Sequence, residues 1–165
     1  MARSGVIVFT FVMVSGLTAL AYPNIGDKVT WSGTFKDTQG KTTEIQITKE
    51  VVGFNSDNKH WKVKKHTKVG DESASETIET LDLFTPEKYK QVLENCEKQG
   101  GVIETLETNP GKYKTCKTST TDTSGVVIEK WWGDIPFGIV SKSTRGPSGE
   151  LTAGELPLMF ATLGL

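Results

Sequence analysis

Residues 59–84 carry a hairpin whose register can be counted directly from the sequence, and that constraint commits the chain to antiparallel sheet. Gly70-Asp71 is a two-residue turn with glycine first, the position at which such a turn needs a positive backbone torsion. Counting outward from it makes 59–69 and 72–84 the two arms. Val63 then falls opposite Ile78, Lys62 opposite Glu79, and Lys65 opposite Glu76. Apolar meets apolar and cation meets anion, pairs that stabilise adjacent strands by ~0.2–1 kcal/mol each.

The same alternation recurs on both sides of this hairpin. In 28–35, Val29, Trp31 and Phe35 share one face, while Lys28, Thr30, Ser32 and Thr34 share the other. A polar turn at 36–41 leads into 42–54, which alternates through Ile45, Ile47 and Val51 and ends in the turn Asn55-Ser-Asp-Asn58. Further strands are expected at 102–108 and 112–121 around Asn109-Pro-Gly111, then at 126–132 and 139–145. Gly146-Pro-Ser-Gly149 turns into a largely apolar segment, 151–165. Spacing of strand and turn signals predicts about eight to ten antiparallel strands.

One helix interrupts them, over 85–99. Thr85 suits the N-cap, Pro86 occupies a position whose missing N–H costs nothing, and Glu87 faces the positive helix end. Tyr89, Val92, Leu93 and Cys96 form a single apolar stripe, and Gly100-Gly101 ends the helix. No repeat, linker or low-complexity tract divides the chain, so 22–165 is expected to be one antiparallel β domain with one helix.

The first 21 residues read as a secretory signal. Arg3 supplies a basic start, an apolar run extends over 6–20, and Ala19-Leu20-Ala21 precedes Tyr22-Pro23. The run is shorter than the roughly 20 apolar residues a spanning helix needs, and no cysteine follows that could carry a lipid. Removing this segment from 165 residues leaves 144, enough for one domain with a real core. Losing Arg3 turns 19 basic residues into 18 against 20 acidic ones, a formal charge of −2. That balance gives no reason to expect nucleic acid as a partner. The mature chain contains no later stretch of membrane-spanning length, so no transmembrane segment is expected there.

Cys96 and Cys116 both lie in the exported part, and an even pair in an oxidising compartment reads as one disulfide. With no CxxC spacing and no nearby histidine, a redox or metal pair has little to recommend it. The basic run around Trp61, Lys59-His-Trp-Lys-Val-Lys-Lys-His-Thr-Lys68, could meet lipid headgroups or an anionic polymer. The hairpin register instead answers its charge with Glu72, Glu76 and Glu79, a solvated strand face. His60 and His66 are six residues apart on one strand, about 20 Å, too far to share a metal ion. No metal and no cofactor are expected. Ser56-Asp-Asn-Lys59 overlaps two motifs of penicillin-binding enzymes within one turn, where they cannot form opposite walls of a site. The chain carries no Gly-x-Ser-x-Gly elbow, His-Glu-x-x-His, phosphate loop or dinucleotide fingerprint, and no enzyme is expected.

The aromatic surplus says more. Trp131 and Trp132 are adjacent, so on a strand they point to opposite faces. Both can be buried only if the sheet is covered on both sides, or if one lines a cavity or a partner surface. Leu156-Pro-Leu-Met-Phe-Ala-Thr-Leu163 poses the same problem. A curved sheet wrapped round the helix solves it, and so does an apolar ligand groove.

The carboxy-terminal half also resembles a family. Pro110-Gly-Lys-Tyr-Lys-Thr-Cys116, a polar strand, then Glu129-Lys-Trp-Trp-Gly-Asp-Ile-Pro-Phe-Gly-Ile-Val140 is similar to a pattern in bacterial secreted proteins distantly like the LolA/LolB lipoprotein-carrier group. The likeness covers about residues 110–145. It implies an unclosed antiparallel β-barrel with helical cover over an apolar cavity, and no functional residues carry over.

The expected fold is therefore mainly β: a curved antiparallel sheet or unclosed barrel with the 85–99 helix packed in its concave face. A Cys96–Cys116 disulfide would tie that helix to the following hairpin. The expected function is non-enzymatic, an exported periplasmic or extracellular binding or carrier protein for an apolar or amphipathic ligand such as a lipid or acyl chain. Trp61, Trp131, Trp132, Phe137 and Met159 are the candidate lining residues, from strand parity and apolarity. The alternative is a protein-interaction or inhibitor module that meets an envelope protein through an aromatic patch.

Overall fold

The computed structural model describes residues 22–36, 40–109, 111–146 and 159–163, with backbone alone at 35–36 and 159–163. The expected signal at 1–21, Pro110 of the expected turn, and the apolar tail at 151–158 and 164–165 lie outside the described residues, as do the side chains of Phe35, Met159 and Phe160.

Two four-stranded antiparallel meanders are joined by one short strand. The first comprises β1 (Lys28–Lys36), β2 (Thr42–Asn55), β3 (His60–Val69) and β4 (Glu72–Thr80). The second comprises β5 (Val102–Thr108), β6 (Gly111–Thr121), β7 (Val127–Trp132) and β8 (Ile139–Arg145). The last strand, β9 (Met159–Leu163), inserts between the first strand of one meander and the last of the other. The sheet order is β4-β3-β2-β1-β9-β8-β7-β6-β5, so β4 and β5 are its edges among the described residues. The mainly-β architecture with one helix is as expected.

The β3–β4 hairpin has the register counted from the sequence. Val63 faces Ile78, Lys62 faces Glu79 and Lys65 faces Glu76. The two ion pairs close at 3.6 and 2.7 Å. Gly70 takes φ +56° at the first turn position, the torsion that favours glycine there. Glu72 departs from expectation: it sits opposite Val69 and so answers no lysine across the hairpin. β4 also stops at Thr80 instead of Phe84. Its partner runs out, because Trp61 pairs with Thr80 and His60 begins β3. Thr80 Oγ1 then accepts from Asp82 N, and the chain turns away from the sheet.

Helix α1 (Pro86–Asn95) begins as the sequence predicts, with Thr85 Oγ1 accepting from Lys88 N at 3.2 Å. It ends sooner. Cys96 N bonds Leu93 O, tightening the last turn, and one 3-10 turn follows at Glu97–Gln99 before Gly100 at φ +78°. Cys96 and Cys116 form the expected disulfide and are both buried. Gly101 stands against it, since a Cβ there would lie 2.8 and 2.9 Å from the two sulfurs. The helix contributes no fully buried residue between Pro86 and Asn95, so the disulfide and the Tyr89 hydroxyl, which donates to Lys114 O at 2.8 Å, fasten it to β6.

The core is formed by Val29, Trp31, Ile45, Ile135 and Val140, with Ile47, Val69, Leu106, Tyr113 and Phe137 packed around it. Ile135 and Phe137 come from the tight β7–β8 connection, closed by Gly133 N to Gly138 O at 2.8 Å. The Trp31 indole donates to Ile139 O at 2.7 Å, linking β1 to β8 past the inserted β9.

Candidate functional site

Strand pairing decides which side chains share a face. The face of Val29 and Trp31 also carries Ile47, Lys49 and Val51 of β2 and Val63 and Lys65 of β3. In the second meander the matching face holds Cys116 and Thr118 of β6, Lys130 and Trp132 of β7, and Lys142 of β8. Lys65 and Lys130 nevertheless line a single pocket of about 240 Å³. Their strands are five places apart in the sheet, which laid flat would separate them by about 24 Å. The sheet therefore curls, and this shared face is its inner one.

Three hollows run along the inner face. The middle one is lined by Trp31, Ile47 and Ile139 together with Lys49, Lys65, Lys130 and Lys142. It meets a second at Lys49, of about 260 Å³, walled by Val63, Ile78, Phe84 and Phe137. It meets a third at Lys130, where Val92 of α1 faces Trp132 and Ile128. Together they form one trough with a mainly apolar floor and lysines at its centre.

The candidate residues fall in different places. Trp132 lies on the inner face, its ring stacked on Phe84 at 5.9 Å and its indole donating to Thr118 Oγ1 at 3.1 Å. Phe137 lies there too, edge-on to Trp31 at 6.2 Å. It adopts φ +66°, a torsion that bulky side chains seldom occupy and that costs ~1–3 kcal/mol. Trp131 points to the opposite face, as adjacency on a strand demands. There it is buried under the Lys117 ammonium, and its indole donates to a Glu104 carboxylate oxygen. Trp61 packs on Phe54 at 4.8 Å, beyond the lining of the trough. Met159 pairs by backbone with Lys142 in β9. The structure thus brings Trp132 and Phe137 to the trough and leaves Trp131 and Trp61 outside its lining.

Sequence reasoning missed Trp31, Phe84, Lys49, Lys130 and Lys142 as site residues, and it set Lys65 aside with its basic run as a solvated strand face. One signal for Lys49 was present: Ile45, Ile47 and Val51 mark an apolar parity, and Lys49 interrupts it. Lys49 stands 5.9 Å from the Trp31 ring centroid and 5.8 Å from that of Phe137. Burial, then the neighbouring Lys65 ammonium, hold its pKa below the usual lysine value, while Glu76 acts in the opposite sense. Burial and the nearby Lys130 lower that of Lys142 in the same way.

His60 and His66 take local partners, Asn58 O and Ser75 Oγ, each at 2.8 Å. Among the described residues no group of three or more His, Cys, Asp or Glu is placed to hold a metal ion, and no helix is long and apolar enough to cross a membrane. No family model, curated protein or solved structure matches the chain.

Proposed function

We propose that this is an exported, non-enzymatic binding or carrier protein that holds an apolar or amphipathic ligand in the inner trough. The observation that carries the reading is incomplete burial: Phe84, Trp132, Phe137, Ile47 and Ile139 are only partly buried, and they line adjoining hollows along one strip. A strip that served packing alone would be covered, whereas a contiguous open one fits a ligand groove. The middle hollow is about 240 Å³ and the Val63 hollow about 260 Å³, and the two share Lys49 in their walls. The disulfide and the amino-terminal sequence pattern support export. The resemblance of residues 110–145 to a pattern in bacterial secreted proteins distantly like the LolA/LolB group implies a similar reading.

Native mass spectrometry of protein purified gently from its exporting host tests this. An acyl-chain or lipid adduct is the expected result. A clean apo mass, persisting after lipids are offered, refutes the carrier reading.

A protein-interaction role has its own support at the other end of the sheet. Edge strand β5 leaves Val102 56% and Ile103 37% exposed, an edge to which an extended partner segment could add a strand. Charged substitutions at these two positions would abolish capture of such a partner and leave lipid adducts untouched.

A further inference from the structure

Two like-charged cross-strand pairs converge on the middle hollow. Lys49 lies directly opposite Lys65 across β2 and β3, and Lys130 lies directly opposite Lys142 across β7 and β8. Like charges directly opposite one another destabilise a sheet. Here the curl of the sheet also presents one such pair to the other over a shared floor of Trp31, Ile47 and Ile139.

Compensation is partial. Glu76 pairs with Lys65 at 2.7 Å. Among the described residues, no carboxylate forms an ion pair with Lys49, Lys130 or Lys142. Aromatic faces take part of the load, with Lys49 near Trp31 and Phe137, and Lys130 5.9 Å from the Trp132 centroid. These contacts hold the aliphatic stems along apolar surface but neutralise nothing. The formal charge of the whole chain is −1, so concentration of cations here is a local feature. An arrangement that costs the empty protein stability, placed at the centre of an open apolar trough, fits a site whose missing charge arrives with the ligand.

We propose that the trough's ligand is a single-chain amphiphile with an anionic headgroup, the headgroup seated among Lys49, Lys130 and Lys142 and the chain along Phe137, Phe84 and Val63. This rests on the binding reading above and adds the sign and place of the ligand's charge. The acyl chain follows the hollow that meets the middle one at Lys49, along Val63, Ile78, Leu83, Phe84 and Phe137; Thr80 and Asp82 also line it, and Asp82 is held in an ion pair with Lys88. The modest size of that hollow fits one chain better than two.

The test uses oxidised mature protein and three dodecyl probes below their micelle concentrations: dodecyl phosphate, dodecyl maltoside and dodecyltrimethylammonium. Tryptophan fluorescence and calorimetry report binding. Dodecyl phosphate is expected to bind at least about tenfold more tightly than either other probe, a ~1.4 kcal/mol preference, and to weaken with added salt. The double variant Lys130→Gln/Lys142→Gln should lose about tenfold or more of that affinity. Its ligand-free denaturation midpoint should hold or rise, because a repulsive pair has been removed. Equal binding of all three probes overturns the anionic headgroup and leaves the binding reading standing. Failure of all three overturns both. Inorganic phosphate binding as tightly as dodecyl phosphate overturns the amphiphile in favour of a small-anion site. A double variant that loses stability and keeps its affinity assigns the lysines a structural role and overturns the proposal.

Discussion

Gly138→Ala probes the corner at which the β7–β8 connection meets the trough. Gly138 has φ +75°, in the left-handed region, where any L side chain costs ~1–2 kcal/mol. A Cβ there would also lie 2.6–2.7 Å from three ring carbons of Phe84, far inside van der Waals contact. The ring cannot withdraw freely, because it stacks on Trp132 at 5.9 Å. Overpacking of this kind adds ~1–3 kcal/mol, so the substitution should cost about 2–5 kcal/mol in all. Against a typical domain stability of ~5–15 kcal/mol, that is a large fraction. Urea unfolding of the oxidised protein, followed by fluorescence and circular dichroism, measures it. The cycle with Phe84→Ala separates the two contributions. Without the ring, only the torsional ~1–2 kcal/mol should remain, giving a coupling of about 1–3 kcal/mol between the sites. A neutral Gly138→Ala, or an equal cost with and without Phe84, would refute the steric reasoning.

Three further outcomes follow from the geometry. Replacing Cys96 and Cys116 together by Ala opens a loop of sequence separation 20 and should lower stability by about 3 kcal/mol; a loss under ~1 kcal/mol, or free thiols in non-reducing mass mapping, would contradict the staple. Tyr22, whose hydroxyl donates to Asp134 Oδ1 at 2.7 Å, has its phenol pKa raised by burial first and then by that carboxylate. The unfolded chain gives up this proton first, so wild-type stability should fall as pH rises past ~10, and Tyr22→Phe should flatten that fall while costing ~1 kcal/mol at neutral pH. Glu129 is 9% exposed and held below the usual carboxylate range, chiefly by its hydrogen bond from Lys117 and also by Arg145. Its stabilisation is present above the unfolded value of ~4.3 and lost as pH falls through the lower folded one. Glu129→Gln should therefore destabilise by about 1 kcal/mol at pH 7, since both cations keep solvent contact, and the gap should close in acid. A gap unchanged at low pH would remove the ion pairs as its cause.

Local physics made much of this fold legible in the sequence. A two-residue turn leaves one register, so Val63–Ile78, Lys62–Glu79 and Lys65–Glu76 could be counted from Gly70-Asp71 alone. Thr85, Pro86 and Glu87 specify a helix start through hydrogen bonds that close within four residues. Two cysteines in an oxidising setting have only each other. Adjacency placed Trp131 and Trp132 on opposite faces, but could not say which face was inner. That depends on the direction in which the sheet curls.

Tertiary structure alone decided the site. Lys49 and Lys130 are 81 positions apart, and they meet because β9 inserts between β1 and β8 and joins the two meanders into one curled sheet. Phe84, expected at the end of a strand, left the sheet when β4 lost its partner and became the wall beside Trp132. Lys62 and Lys65 announce their pairing because a hairpin encodes its neighbours in sequence. The convergence of Lys49, Lys65, Lys130 and Lys142 does not, because nothing local to any of the four strands specifies which distant strand it will face.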